Sequence, residues 1–395
     1  MRELLGSAWL EINLDAVKFN MQSIKSWIGE KIQIMGVVKG NGYGHDAVEI
    51  ANIILEYGAT QLAVARIEEA IVLRKNSIKA PILVLGIALD EQFKCYLDYQ
   101  IIPTISDLKS AYKFNEIASG ISQKIKVHLK IETGMGRLGF KASEIMKVIT
   151  ELKKLSNIEI EGIYTHFSTA DEKDKEYTLY QFHLFKEVMN QVKKSNLKIP
   201  YYHTANSGAI LDLPETWLDM VRPGCLIYGL YPSGEVNRSI NLLPALSFKS
   251  RISFLKRVAA DSFIGYGRTY KTKKETVVAT LPVGYADGYS RLLSNSGQVL
   301  VRGKIAPVVG RVCMDQMMID ISNITDASVG DEVVLWGEQR GKYITVEEIA
   351  KKLNTIVDEV VHLTDKARVA KLFIKEGKPW KVKNILSEYN FEEKR

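Results

Sequence analysis

From residue 15 to about residue 235 the chain alternates short apolar runs with amphipathic stretches, and this rhythm constrains the fold more than any other feature. The runs are IQIMGVVK (32–39), QLAVA (61–65), PILVLG (81–86), IIPT (101–104), IKVHLKIE (125–132), IEGIYTHF (160–167), YYHTA (201–205) and MVRPG (220–224). Most are apolar on both faces, as strands must be when helices bound them on both sides. Helix candidates separate them. The longest spans about 173–195, and near the start Val17, Met21, Ile24 and Ile28 recur at helical spacing behind Asp15, which reads as an N-cap. Eight such units over roughly 230 residues predict a (β/α)8 barrel.

The texture changes after about residue 240. FKSRISFLKRV, TVVATLPVGYA, GQVLVRGKIAPVVGRV, MMIDI and DEVVLW are β-rich and separated by Gly, Asn and Asp turns, with one helix candidate at Val346–Leu353. A mostly antiparallel β domain is expected there. With the boundary in 232–244, residues 1–239 form the barrel and 240–395 the β domain, and a first strand near 8–13 could join the latter.

Composition excludes several classes. At 46% apolar and 25% charged residues, the chain is neither disordered nor fibrous. The net charge of +7 is spread along the chain instead of forming a basic stripe with interleaved aromatics, so no nucleic-acid partner is expected. Cys95, Cys225 and Cys313 lie far apart, which implies neither a disulfide framework nor a zinc knuckle. The longest apolar run, Ala80–Leu89, falls well short of the ~20 residues needed to cross a bilayer. The opening MRELLGSAWLEINLDA carries charges where a leader peptide needs its apolar stretch, so no membrane association and a cytoplasmic location are expected.

Chemistry in such barrels sits just past the C-terminal ends of the strands. The first strand runs into Lys39-Gly40-Asn41-Gly42-Tyr43-Gly44-His45. A lysine delivered by a buried strand is partly desolvated, which suits Schiff-base chemistry, although many strand-end lysines only snorkel to water. The fifth runs into ETGMGRLGF, where glycines around Arg137 allow close backbone approach while the guanidinium clamps a carboxylate. His166 and His203 end the sixth and seventh strands; no carboxylate or thiol stands near them in ligand spacing, so no metal is expected. Asn206-Ser207-Gly208 starts a helix and Arg222-Pro223-Gly224 ends the eighth strand, the two loops that commonly hold phosphate in these barrels. Further on, GYGRTY (265–270), VGYADGYSR (283–291) and GRVCMDQ (310–316) put Tyr, Met or Asp inside turn-forming sequence, which ordinary hairpins would also explain.

Taken together, VVKGNGYGH, ETGMGRLGF, YTHFSTADE, HTANSGAI, RPGCLIYG, GYGRTY, GYADGY and GRVCMDQ occur in the order seen in alanine racemases, and the chain resembles that family over essentially its whole length. The resemblance implies a pyridoxal phosphate (PLP)-binding (β/α)8 barrel followed by a β domain. It also implies a homodimer in which each β domain completes the partner's site. It casts Lys39 as cofactor anchor and one base, and Tyr266 as the base on the other face. A chain from Tyr266 through His166 and Arg222 to His203 would tune that tyrosine and the cofactor's pyridine nitrogen. Tyr43, Ser207, Gly224 and Cys225 would hold the phosphate; Arg137 and the Met314 backbone would meet the substrate carboxylate. Lys130 matches a lysine often carbamylated in the family, and Tyr285, Arg291, Arg311 and Asp171 match its access path. The implied reaction interconverts L- and D-alanine, supplying D-alanine for peptidoglycan.

One position departs from the pattern. The family carries T-I-x-Y-E late in the β domain, and this chain reads Thr355-Ile356-Val357-Asp358-Glu359, with Asp358 where a gate tyrosine would stand. That change raises serine or a cationic amino acid as alternative substrates. A barrel-type PLP decarboxylase and a non-catalytic PLP-binding protein are the rival classes. Arg222, where the former uses an acid, and the β domain carrying Tyr266, which the latter lacks, argue against them.

Overall fold

The computed structural model describes residues 5–384 and, as backbone, 388–390. Residues 1–4, whose charges bear on the leader-peptide expectation, and the last residues of the span to 395 lie outside them. The chain divides into two compact units, one of residues 17–243 and one joining residues 1–16 to 244–395.

The first unit is built on eight parallel strands: β1 (Gln33–Val37), β2 (Gln61–Val64), β3 (Ile82–Val84), β4 (Ile102–Ile105), β5 (Ile125–Glu132), β6 (Ile158–Tyr164), β7 (Tyr201–His203) and β8 (Met220–Val221). They pair in chain order, and β8 returns to β1 with Met220 opposite Gln33. The last gap, between β7 and β8, is bridged by Asp219 N–H to the Tyr202 carbonyl at 3.1 Å and Arg222 N–H to the Ala205 carbonyl at 3.0 Å. The result is the (β/α)8 barrel. Met35, Val37, Ala63, Leu83, Ile102, Tyr164 and Met220 form one buried cluster of its strands. Helices cover the outside, the longest Glu176–Lys194.

Two local expectations are corrected. The helix Leu14–Ile28 is capped by Asn13, whose Oδ1 accepts from Ala16 N–H at 3.1 Å. Asp15 instead accepts from the Glu376 and Gly377 N–H groups at 3.0 and 2.8 Å, because at the second helical position its carboxylate points away from the helix's own donors. The first apolar run also does not stay extended to Lys39. Its strand ends at Val37, and residues 40–43 turn in the left-handed region.

The second unit is largely antiparallel. Strand Ala8–Asn13 pairs antiparallel with Leu246–Arg251 and parallel with Ala370–Lys375 in a sheet of nine strands, burying Leu10, Ile12, Phe248, Trp336 and Phe373. A second sheet joins Phe254–Val258, Thr276–Leu281 and Met317–Asp320. Helix Val346–Leu353 forms behind a capping box in which Thr345 Oγ1 and the Glu348 carboxylate each accept the other's N–H at 3.2 Å. A second helix, Val357–Leu363, was not foreseen. Its Val357, Val360 and Val361 are buried at helical spacing, a stripe too short to stand out in the sequence.

Candidate active site

The C-terminal ends of the parallel strands share one mouth of the barrel. Lys39 stands two residues past β1, at the head of a turn with φ of 60° at Gly40, 52° at Asn41, 65° at Gly42 and 52° at Tyr43. Two glycines absorb half of this left-handed run, and side chains hold the rest. Glu69 accepts from Gly40 N–H at 2.5 Å, Ala65 N–H at 2.8 Å and Arg66 N–H at 3.0 Å, and Asn41 Oδ1 accepts from Ala47 N–H at 3.0 Å. The turn brings the Tyr43 ring within 5.9 Å of Lys39 Nζ and stacks it, tilted, 4.9 Å from Tyr228.

Beyond β7 and β8 the chain forms a concave cradle. Gly224 N–H donates to Ser207 Oγ at 2.9 Å. A methyl group on Gly224 would lie 2.6 Å from Tyr43 Oη and 3.8 Å from Ser207 Oγ, so glycine leaves open a space lined by two hydroxyls. Ser207 begins the helix Ser207–Asp212, capped by Asn206, and Cys225 follows Gly224 into the next turn. Hydroxyls and helix-start N–H groups around an open space fit a phosphate. This is the fit expected of a PLP-binding site.

Arg222, the residue after β8, is buried among four acceptors that meet its two terminal nitrogens. One guanidinium nitrogen meets His203 Nδ1 at 2.9 Å; the other donates to the carbonyls of Thr165 and Thr204 at 2.8 and 2.9 Å and meets His166 Nδ1 at 3.3 Å. Burial pushes its pKa down to about 10, which still leaves it charged at neutral pH. Burial, then the Arg222 charge, holds both His166 and His203 well below the ordinary histidine value, and both are neutral. For His166 the charges of Arg137, Lys39 and Lys130 add to the effect, which shows how much positive charge the mouth gathers. Lys130, in β5, is buried and donates to the Ile131 carbonyl at 2.7 Å; desolvation lowers its pKa to about 8. Arg137 sits in the glycine-rich loop after β5, where the Glu132 carboxylate accepts its N–H at 3.3 Å.

Apart from Asp171, which lies in the first unit, the remaining sequence-predicted residues belong to the second unit. Tyr266 lies between the paired strands Phe263–Ile264 and Tyr270–Lys271 and is 72% exposed. Met314 and Tyr285 are held in adjoining loops, with Tyr285 N–H on the Cys313 carbonyl and Ala286 N–H on the Met314 carbonyl, each at 3.0 Å. Both side chains are exposed as well. Asp358 is half-buried in the first turn of Val357–Leu363, where a carboxylate complements the helix dipole.

Residues 12–232 match the alanine racemase N-terminal domain and 245–373 the alanine racemase C-terminal domain. The chain belongs to the alanine racemase family. Among curated relatives, "Alanine racemase 2" of Caldanaerobacter subterraneus is 47% identical over 378 residues, covering 95% of this chain and 97% of that one. The alanine racemase of Clostridium difficile superposes with a TM-score of 0.92 at 41% identity, over 96% of this chain and 99% of that one. The alanine racemase of Bartonella henselae, solved with covalently bound pyridoxal phosphate, gives 0.84 at 26% identity, over 93% and 100%.

In this alanine racemase family member the barrel mouth thus gathers Lys39, Tyr43, Lys130, His166, His203, Ser207, Arg222, Gly224 and Cys225, all of them singled out from the sequence. Sequence reasoning missed Glu69, which ties down the Lys39 turn, and Tyr164, whose ring stacks 4.9 Å from His203 while its hydroxyl meets Thr104 Oγ1 at 2.8 Å. It also missed His128, buried against His203 at 2.9 Å. A histidine and a lysine two apart between apolar residues, as His128 and Lys130 are in residues 127–131, was the available signal.

Proposed function

We propose that this chain is a PLP-dependent alanine racemase that interconverts L- and D-alanine with Lys39 and Tyr266 as its two bases. The observation that carries the reading is the buried Arg222, held by His203, His166 and two carbonyls at the mouth that also presents Lys39 and the hydroxyl cradle. The names of the relatives support alanine over serine or a cationic substrate.

When bound, PLP supplies the electron sink that makes the substrate Cα proton removable. Tyr43, Ser207, Gly224 and Cys225 would hold its phosphate, and Lys39 would anchor it. Arg222 is the residue available to its ring nitrogen. A guanidinium donates but accepts nothing, so the nitrogen gains a hydrogen bond and no proton. The sink is therefore weaker than one opposite a carboxylic acid, which favours simple return of the proton over side reactions.

Racemisation needs bases on opposite faces. Lys39 supplies one from its own barrel. Tyr266 is too exposed to serve a closed site unaided, and a second copy of the chain would provide its cover; we infer a homodimer in which Tyr266 and Met314 of one copy complete the barrel mouth of the other. A free phenol, with a pKa near 10, is a poor base at neutral pH. His166 accepts from Arg222 at Nδ1, so its proton sits on Nε2, and that N–H is the donor available to stabilise a phenolate. Arg137 and the Met314 backbone would fix the substrate carboxylate. Among the described residues no helix is long and apolar enough to cross a membrane; a cytoplasmic enzyme supplying D-alanine for peptidoglycan is the setting proposed.

Borohydride reduction of the PLP-loaded protein followed by peptide mapping tests the assignment. Cofactor mass on the peptide containing Lys39, with Tyr266→Phe abolishing racemisation in both directions while Lys39 still exchanges the Cα hydrogen of one enantiomer, is expected. Cofactor mass elsewhere, or full activity in Tyr266→Phe, overturns it.

A further inference from the structure

The hydrogen bonding of Arg222 does not end at His203. On its far side His203 Nε2 meets His128 Nδ1 at 2.9 Å, and His128 Nε2 faces Glu161 Oε2 at 3.6 Å. The other Glu161 oxygen accepts from Lys126 Nζ at 2.7 Å. Arg222 and His203 lie at the C-terminal ends of their strands, whereas Lys126 is the second residue of β5 and Glu161 the fourth of β6. The line therefore runs down the barrel interior from the mouth toward the opposite end. Both histidines are fully buried, Glu161 is nearly so, and Lys126 reaches solvent.

Two backbone features accommodate this line. Between β5 and β6 the register shifts: Val127 pairs with Ile160 but His128 with Gly162, so the ladder skips Glu161. Bulges are uncommon between parallel strands, and they re-aim the side chain of the extra residue. Here the re-aimed group is the carboxylate that faces His128. At Gly162, a Cβ would stand 2.6 Å from the His128 ring, so only glycine leaves room for it.

The donors along the line all point one way. Arginine has no acceptor, so while its guanidinium faces His203 at 2.9 Å, His203 Nδ1 accepts from it and the His203 proton sits on Nε2. That N–H then donates to His128 Nδ1, which places the His128 proton on Nε2, facing the Glu161 carboxylate. Turning either ring over would set carbons against these polar partners. Burial tends to raise the Glu161 carboxyl, but His128 and Lys126 outweigh it and keep it ionised. Burial keeps His128 neutral, its pKa lowered despite Glu161. Removing the carboxylate or the His128 acceptor would free His203 to carry its proton on Nδ1, where it would collide with the Arg222 donor.

We propose that His128 and Glu161 are positioning residues for Arg222: they fix the tautomer of His203 and through it the orientation of the guanidinium. Neither touches the reacting atoms, and the line conducts no proton to the site, because Arg222 can relay none. The consequence for catalysis rests on reading Arg222 as the partner of the cofactor nitrogen. The tautomer claim does not.

The test is 15N NMR of histidine-labelled protein without cofactor, comparing the native chain with His128→Phe, His128→Asn and Glu161→Gln. In the native protein His203 and His128 should each show one tautomer, protonated at Nε2. His128→Phe fills the space without an acceptor and should release His203 to mixed tautomers. His128→Asn returns an acceptor near the Nδ1 position and should restore the single form. In PLP-loaded protein, His128→Phe should shift the cofactor absorption band and lower kcat about tenfold with little change in KM, the scale of losing one buried hydrogen bond. His203 protonated at Nδ1 in the native protein, or unchanged in folded His128→Phe, overturns the proposal. A correct tautomer pattern in a protein that racemises nothing would overturn the functional reading alone.

Discussion

Replacing Gly224 by alanine tests the phosphate cradle with a single methyl group. The added carbon would stand 2.6 Å from Tyr43 Oη, closer than real contacts allow, and 3.3 Å from its Cζ, so the ring must withdraw. It has little freedom to do so: Tyr228 packs 4.9 Å away, and the Tyr43 backbone is fixed at the end of a left-handed turn. The hydroxyl is thus lost as a phosphate donor while Ser207, 3.8 Å from the methyl, is spared. A hydrogen bond to a charged acceptor is worth about 1.5–3 kcal/mol. At about 1.4 kcal/mol per factor of ten, Gly224→Ala should weaken PLP binding about 10- to 100-fold. The assay is titration of cofactor-free protein with PLP, followed by absorbance, with circular dichroism confirming the fold. In a Tyr43→Phe background the clashing oxygen is gone, so the same methyl should cost much less, and the two changes should be non-additive. Native affinity in folded Gly224→Ala, or strict additivity, would refute the cradle.

Other consequences follow from the same geometry. Glu69→Ala removes the acceptor of three N–H groups around the Lys39 turn and should lower stability by about 2–4 kcal/mol in urea unfolding, with loss of activity beyond that of a surface change. His166 and His203 stay neutral when folded but take up protons near pH 6.5 when unfolded, so stability should fall on acidification. From pH 7.5 to 5.5 the pair should cost about 3 kcal/mol, at about 1.4 kcal/mol each, measured by denaturant midpoints at the two pH values. Lys130, with its pKa near 8, has the neutral amine that carbamylation requires, and native mass spectrometry in bicarbonate should show one added CO2 that Lys130→Ala lacks. Asp358→Tyr should leave alanine the preferred substrate by kcat/KM over serine; a reversal of preference would show that position 358 sets specificity.

The barrel was legible because its strands are short, apolar and regularly spaced, and because a parallel barrel carries its chemistry past the strand ends. Lys39, His166, His203 and Arg222 all stand at such ends, where a polar residue breaks an apolar run. What stayed hidden depends on contacts between residues far apart in sequence. Glu69 lies in an ordinary helix start, and nothing local says that its carboxylate reaches Gly40. His128 and Glu161 meet only because a register shift skips one residue, and no pattern within either strand encodes that shift. Asn13 and Asp15 are both good helix caps, and only the chain path past Gly377 decides between them.

The central claim is that this barrel, loaded with PLP, exchanges and inverts the Cα hydrogen of alanine through Lys39 and Tyr266. The most direct measurement is NMR of the PLP-loaded protein with a panel of L-amino acids in D2O, following Cα–H exchange and D-isomer formation together. Alanine exchanging fastest, with D-alanine appearing alongside and Lys39→Ala and Tyr266→Phe both impaired, is the predicted result. Bound PLP with no exchange on any amino acid, or exchange without inversion, would contradict the account.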